Sequence, residues 1–194
     1  PGMWDEHYFG DFMLVNGKVW PFLNVAQGKY RFRALNGCNS RTLRLALSNG
    51  APIVQIGTDG GLLAAPVARS EVLLQPGERA DVIIDFAGYA PGTQIVLTNS
   101  APAPFPGEPG VGVIPNVMRF NVVAGAGFTG PIPSVLRPVT ALQPADASVT
   151  REFTLRKLPN TCPDSMWMIN DLGWDDITER PRLAFSRRRL IETI

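Results

Sequence analysis

The chain has 194 residues and one histidine, and its 18 Lys and Arg against 17 Asp and Glu leave a net charge of +1. That length is enough for one large β domain, or one domain and part of another, with a sizeable core. Near-balanced charge supplies no global field toward nucleic acid or an anionic membrane, and no run approaches the roughly 20 apolar residues of a membrane span.

The 19 glycines and 18 prolines fall between short apolar runs, which is the punctuation of an all-β chain. The opening "PGMWDEHYFG" has no basic segment leading into an apolar one, so the chain reads as soluble and without a signal peptide. In residues 12–25, β-rich residues are interrupted by Asn16-Gly17. That pair tolerates positive φ and predicts a tight hairpin between two short strands. "KYRFRALN" alternates Tyr30, Phe32 and Ala34 with Lys29, Arg31 and Arg33, a period of two with one face buried and one charged. "RTLRLALSNG" repeats the device with Leu43, Leu45 and Leu47. "PIVQIGTDGG" adds an apolar run closed by Asp59-Gly60-Gly61, and "EVLLQPGERADVIIDFAG" reads as two strands around the Pro76-Gly77 turn. In the second of these strands Val82 and Ile84 are expected on one face, with Ile83 and Phe86 on or near the other. Further strands are predicted at 94–98 and 117–123. Strands at spacings of about 8 to 12 residues, with turn chemistry between them and no helical period, predict a Greek-key β-sandwich or barrel.

"APAPFPGEPGVGVIP" at 101–115 is too rich in proline for a central strand and is expected as an exposed loop. The pattern weakens into a Pro-, Gly- and Ala-rich stretch at 124–150, read as a linker between units. After it, "REFTLRKL" and "SMWMINDLGWDD" predict two strands and an acidic turn, too little for a domain without a neighbour.

Candidate chemistry is sparse. Arg79 and Asp81 beside the Pro-Gly turn are expected to pair with each other or to bond loop backbone, in a structural role. "NGCNSRT" reads as a turn in which Asn36 and Asn39 bond their own backbone; Ser40 and Arg41 either serve that turn or face a partner domain. Cys38 and Cys162 stand far apart in no metal-ligand spacing, so one disulfide is open to them, with two free thiols the expectation. His7 sits beside Asp5 and Glu6 and is expected to be solvated. Asp171, Asp175 and Asp176 lack calcium-loop spacing and read as a turn. The "SRRR" run at 186–189 reads as a solvated segment. No nucleophile elbow, Walker loop or dinucleotide fingerprint occurs.

Four stretches nevertheless form a recognisable series. "FMLVNGKVWPFLNV", "KYRFRALNGCNSRTLRLAL", "IVQIGTDGGLL" and "LLQPGERADVIIDF", in that order, resemble the middle cupredoxin-type domain of three-domain multicopper oxidases of the spore-coat laccase, bilirubin oxidase and phenoxazinone synthase branch. "FTLRK" followed by "WMINDLGWDDITERPRL" resembles the first strands of the third domain of the same oxidases. The resemblance implies an all-β cupredoxin-like domain at 1–123 without copper ligands, a linker at 124–150, and the incomplete start of a second cupredoxin-like domain at 151–194. In the family the third domain continues into a His-Pro-x-His-x-His run and ends on a copper-binding His-Cys-His motif; "AFSRRRLIETI" after Leu183 departs from that pattern.

The resemblance further implies an intact parent that uses copper to take single electrons from phenols or related donors and to reduce O2 to water. A blue copper centre needs two imidazoles and a thiolate, and the cluster about eight more histidines, so one His leaves this chain with no cofactor of its own. By resemblance, His7, Tyr8, Phe9, Ser40, Ala103, Pro104 and Phe105 would line the rim of the donor cleft without being catalytic. The expected partners are the copper-bearing domains, or a second copy covering an apolar surface at 151–183, and neither nucleic acid nor membrane. A stand-alone, non-enzymatic β-sandwich interaction module is the alternative.

Overall fold

A computed structural model of the protein describes residues 7–158 and 166–173. The chain divides into two units, Pro1–Thr140 and Ala141–Ile194. Cys162, Asp175, Asp176, the arginine run at 187–189, and Asp5 and Glu6 lie outside the described residues, as does the side chain of Trp167.

The first unit is a two-sheet sandwich, as the strand spacing predicts. Its strands in chain order are β1 (Leu14–Val15), β2 (Lys18–Val19), β3 (Phe22–Gln27), β4 (Lys29–Leu35), β5 (Leu43–Leu47), β6 (Ile53–Thr58), β7 (Gly61–Arg69), β8 (Val72–Leu74), β9 (Arg79–Asp85), β10 (Gln94–Asn99) and β11 (Asn116–Ala126). One sheet has the order β3-β11-β10-β5-β8 and the other β4-β9-β6-β7. Only β3 and β11 pair in parallel within the five-stranded sheet. The Asn16-Gly17 turn forms with φ of 50° and 77°, the positive values a two-residue turn of this kind demands, and joins β1 to β2. Residues 12–25 thus contain three strands where two were expected, because β3 starts directly after the hairpin.

Alternation decides which side chains enter the space between the sheets. Leu43, Leu45 and Leu47 on β5 and Ala80, Val82 and Ile84 on β9 are buried. Phe86 continues that parity and is completely buried, so it belongs with Val82 and Ile84, not with Ile83. Its ring lies 5.1 Å from that of Phe120, which in turn lies 5.4 Å from Phe32. Tyr30 meets Phe86 edge-on at 5.8 Å, and its hydroxyl accepts from the Ala26 amide at 2.8 Å. The aromatic centre therefore ties β4 and the end of β9 in one sheet to β11 in the other.

Two strands break simple alternation and remain productive. On β11, Val117, Phe120 and Val122 are all buried although 117 and 120 differ in parity; the register with β10 shifts between Leu97 and Thr98, so Val117 has no partner across the ladder. A bulge of this kind resets which face a strand presents. Strand β6 is likewise irregular between Gln55 and Gly57; Ile53 and Ile56 are both buried, and of the two Ile53 packs in the core between the sheets.

Strand β7 was not anticipated, because Pro66 interrupts "GLLAAPVAR". It is tolerated because β7 is an edge strand and residues 63–66 have no ladder partner on β6. Beyond β11, the Gly127 amide donates to Gln27 O, Lys29 to Phe128 O and Leu136 to Ala64 O. Backbone bonds thus hold parts of the stretch read as linker against the sandwich.

In the second unit, β12 (Leu155–Leu158) and β13 (Met166–Ile169) form an antiparallel pair. Asn170 and Asp171 take positive φ after β13, and the Asn170 side chain bonds Thr154 N and Glu152 O. Asp171 serves this turn, as its sequence context suggests, and forms an ion pair with Arg156. Phe153, Leu155 and Ile169 are each more than half exposed.

On the outward face of β9, Arg79 and Asp81 do not pair with each other. Asp81 accepts from Arg31 Nε at 2.8 Å and forms an ion pair with it, while Arg79 reaches Asp59 at 3.1 Å. The antiparallel register explains this, since Arg33 stands opposite Asp81 and Arg31 one pleat further on the same face. The hydrogen bond from Arg31 holds the Asp81 carboxyl below the ordinary aspartate range, against the opposing effect of burial and with help from the charges of Arg31 and Arg33. A depressed folded-state pKa adds stability above the unfolded-state value and loses it as pH falls through the folded one. Asp81→Asn is therefore expected to cost about 1 kcal/mol or less at neutral pH. In urea unfolding followed across acidic pH, the gap between the two proteins should narrow as the medium falls below about pH 4.

Candidate functional site

Three segments meet at one end of the sandwich: residues 7–12 ahead of the hairpin, the 36–42 turn between β4 and β5, and the 101–115 loop between β10 and β11. Each carries polar main-chain groups away from the strand ladders, and two buried asparagines and one buried arginine supply several of their partners.

Asn36 has no exposed surface. Its amide nitrogen donates to Arg41 O at 2.8 Å and to Leu74 O at 2.9 Å, and its Oδ1 accepts from the Cys38 amide. Its own backbone exchanges bonds with Glu78 O and Gly77 N. Asn36 does bond local backbone as expected, and it also joins the turn to β8 and to the Pro76-Gly77 turn. Asn99 plays the matching part under the long loop. Its Oδ1 accepts from Arg44 N and Ala101 N, its Nδ2 donates to Ile114 O at 3.3 Å, and its amide donates to Pro115 O.

Arg41 is 6% exposed and so does not present itself to solvent. Nη1 donates to Gly112 O at 2.6 Å, Nη2 to Gly10 O at 3.1 Å, and the guanidinium lies 5.7 Å from the Phe9 ring centre. Gly112 adopts a φ of 63°, and a Cβ there would come within 2.5 Å of Ala103 O. The loop thus folds back on itself, with the Ala103 amide donating to Val111 O. Ala101 and Pro102 are buried, so the segment is not exposed throughout.

Of the positions singled out by resemblance, Phe9, Ser40 and Ala103 gather around Arg41: Phe9 through its ring, Ser40 as its chain neighbour, Ala103 through Gly112. Phe105 is half-buried beside Arg44, whose guanidinium lies 5.9 Å from its ring, and Pro104 is exposed. Tyr8 and His7 are exposed. A partly open cleft of about 920 Å³ lies at this end, bordered by Tyr8, Met13, Phe32, Cys38, Arg41 and Phe120 among others. Tyr8 alone of the seven positions lines it. Sequence reasoning had no role for Asn99 and left Arg41 between a turn and a partner domain; an arginine flanked by Ser and Thr just before an alternating apolar strand is the one sign that it turns inward.

Metal chemistry finds little here. Among the described residues no three His, Cys, Asp or Glu side chains cluster in a way that could hold an ion. Cys38 is a free thiol, and burial pushes its pKa up despite the nearby Arg41 charge, which disfavours the thiolate that copper needs. Among the described residues, the donors present do not fit a copper centre.

The hairpin side is apolar and open. Phe12, Leu14, Val19, Trp20 and Phe22 are each about half exposed or more, with Phe12 and Trp20 in edge contact at 5.6 Å. Such a concentration of large apolar side chains marks a surface made to be covered.

No protein-family model matches the chain. A laccase from Bacillus stratosphericus is 41% identical over 182 residues, which is 91% of this chain and 35% of the laccase. The crystal structure of the McoA multicopper oxidase from the hyperthermophile Aquifex aeolicus matches with a TM-score of 0.75 at 33% identity, covering 88% of this chain and 36% of that one. The cell division protein FtsP of Xenorhabdus nematophila is 47% identical over 83 residues, 43% of this chain and 18% of its own length. The chain thus spans about a third of the length of the first two.

Replacing Asn36 by Ala strands two buried carbonyls and one amide at once. The expected loss is about 3 kcal/mol of unfolding free energy, measured by chemical denaturation, against less than about 1 kcal/mol for the exposed neighbour Asn39→Ala.

Proposed function

The chain belongs to the multicopper oxidase family, and from that premise we propose that it is the copper-free middle domain of a three-domain oxidase, followed by the first strands of the next. In the parent, copper held by the other domains would take single electrons from phenolic or related donors and pass them to O2. This chain's share would be to pack those domains together and to shape the rim of the donor cleft with His7, Tyr8, Phe9, Ser40, Ala103, Pro104 and Phe105, through aromatic and apolar contact.

The observation that carries the reading is the match of nine-tenths of this chain to one third of a laccase, together with a donor set unsuited to copper. The apolar hairpin side supports it, because Phe12, Leu14, Val19, Trp20 and Phe22 are what an interdomain contact would cover. Phe153, Leu155 and Ile169 in the second unit support it in the same way. The partners are then the copper-bearing domains, or a second copy of the chain in their absence.

A second reading, a non-enzymatic module of the same fold, draws support from the 47% identity to a cell division protein. It gives no reason for the β12–β13 hairpin with its exposed apolar residues.

The two readings separate in one set of measurements on the purified chain. The scaffold reading predicts no stoichiometric copper by elemental analysis, no oxidation of phenolic donors, and binding of an apolar fluorescent dye that falls when Leu14, Trp20 and Phe22 are replaced by Ser. One or more tightly held copper ions per chain would sink it, and a monomer that binds no dye would favour the independent module.

A further inference from the structure

Arg41 has a position that packing alone does not require. A guanidinium carries five donors in a rigid planar fork, and burying one is costly unless its hydrogen bonds are met. Here two arms of the fork reach main-chain carbonyls in two different segments, Gly10 O and Gly112 O. Its charge sits over the Phe9 ring, 5.7 Å from the ring centre. The backbone that carries it is held in turn by Asn36, whose side chain donates to Arg41 O. The base of the fork is therefore fixed, and its tips hold two other segments.

From this geometry we propose that Arg41 is the positioning residue of the rim, a latch that holds the 7–12 segment and the 101–115 loop in one arrangement around the 36–42 turn and so sets how the donor is received. The proposal rests on the rim reading given above. The route to the loop is short: a shift of the Gly112 carbonyl moves Gly112 against Ala103, which it already touches so closely that no side chain fits between them. The Ala103 amide, bonded to Val111 O, then follows. On the other side, release of Gly10 O frees the backbone next to Phe9 and Tyr8. Arg41 contacts no reacting atom in this scheme. It acts through the three segments.

Lysine is not an equivalent here, since a single ammonium cannot reproduce the planar fork that reaches both carbonyls. That makes Arg41→Lys the informative variant: it keeps charge and most of the aliphatic stem, and so preserves packing while removing the fork. Arg41→Met removes the charge as well.

The test is amide hydrogen exchange on the 194-residue chain and both variants. Protection in residues 9–13 and 103–113 is expected to fall about tenfold or more in each, with Lys restoring little of it, while amides of β9 and β11 exchange as before. Unchanged protection in the two segments, full rescue by Lys, or an equal loss across β9 and β11 would overturn the latch. The second readout is the parent oxidase with Arg41→Lys, where KM for a phenolic donor is expected to rise about fivefold with kcat nearly constant. Lost protection with an unchanged KM would leave the latch standing and refute the rim reading on which its consequence depends.

Discussion

Backbone amides and carbonyls that leave the strand ladders and turn inward must find partners, and at the loop end of this sandwich a few side chains provide them. Asn36, Asn99 and Arg41 between them satisfy carbonyls of Gly10, Arg41, Leu74, Gly112 and Ile114 and amides of Cys38, Arg44 and Ala101. An unpaired buried polar group costs about as much as a good hydrogen bond yields. The three loops at this end are therefore not independent decorations. Loss of Asn36 or Asn99 strands groups in one loop and in a neighbouring strand, and loss of Arg41 strands groups in two loops.

This arrangement depends in turn on the apolar interior. Phe32, Phe86 and Phe120 bridge the two sheets, and the bulge at Val117 brings β11 side chains of both parities into the same core. A rigid sandwich holds β4, β5, β10 and β11 at fixed separations, and those are the strands from which the 36–42 turn and the 101–115 loop spring. Scaffold and rim are then two consequences of one packing problem. In the proposed role, a domain with this construction would contribute shape and interfaces, with electron transfer left to copper held elsewhere in the parent.

Much of the sandwich is legible in the residues themselves. Alternation in "KYRFRAL" and "LRLAL" and the Asn16-Gly17 turn lead directly to β4, β5 and the first hairpin, because a period of two with a charged face admits few other solutions. Strand β7 escapes such a reading because proline argues against a strand unless the strand is known to be an edge, and edge status is a property of the assembled sheet. Phe86, expected on or near the face of Ile83, instead keeps the parity of Val82 and Ile84 just past the end of β9 and is fully buried with them. The candidate site is less legible still. Family resemblance, not residue chemistry, drew attention to Phe9, Ser40 and Ala103, and the arginine that joins them looked like part of a polar turn. Its partners are main-chain carbonyls far along the chain, and a carbonyl leaves no mark in a sequence.

If this chain is the copper-free middle of an oxidase, its copper ligands are encoded beside it. Reading the DNA on both sides of this segment and translating it in all frames tests this. Histidine-rich copper-binding motifs are expected to flank it, including a His-Cys-His motif downstream. Flanks that encode no such motif would contradict that reading, and would leave the sandwich to be explained by what its open apolar face and its loops bind.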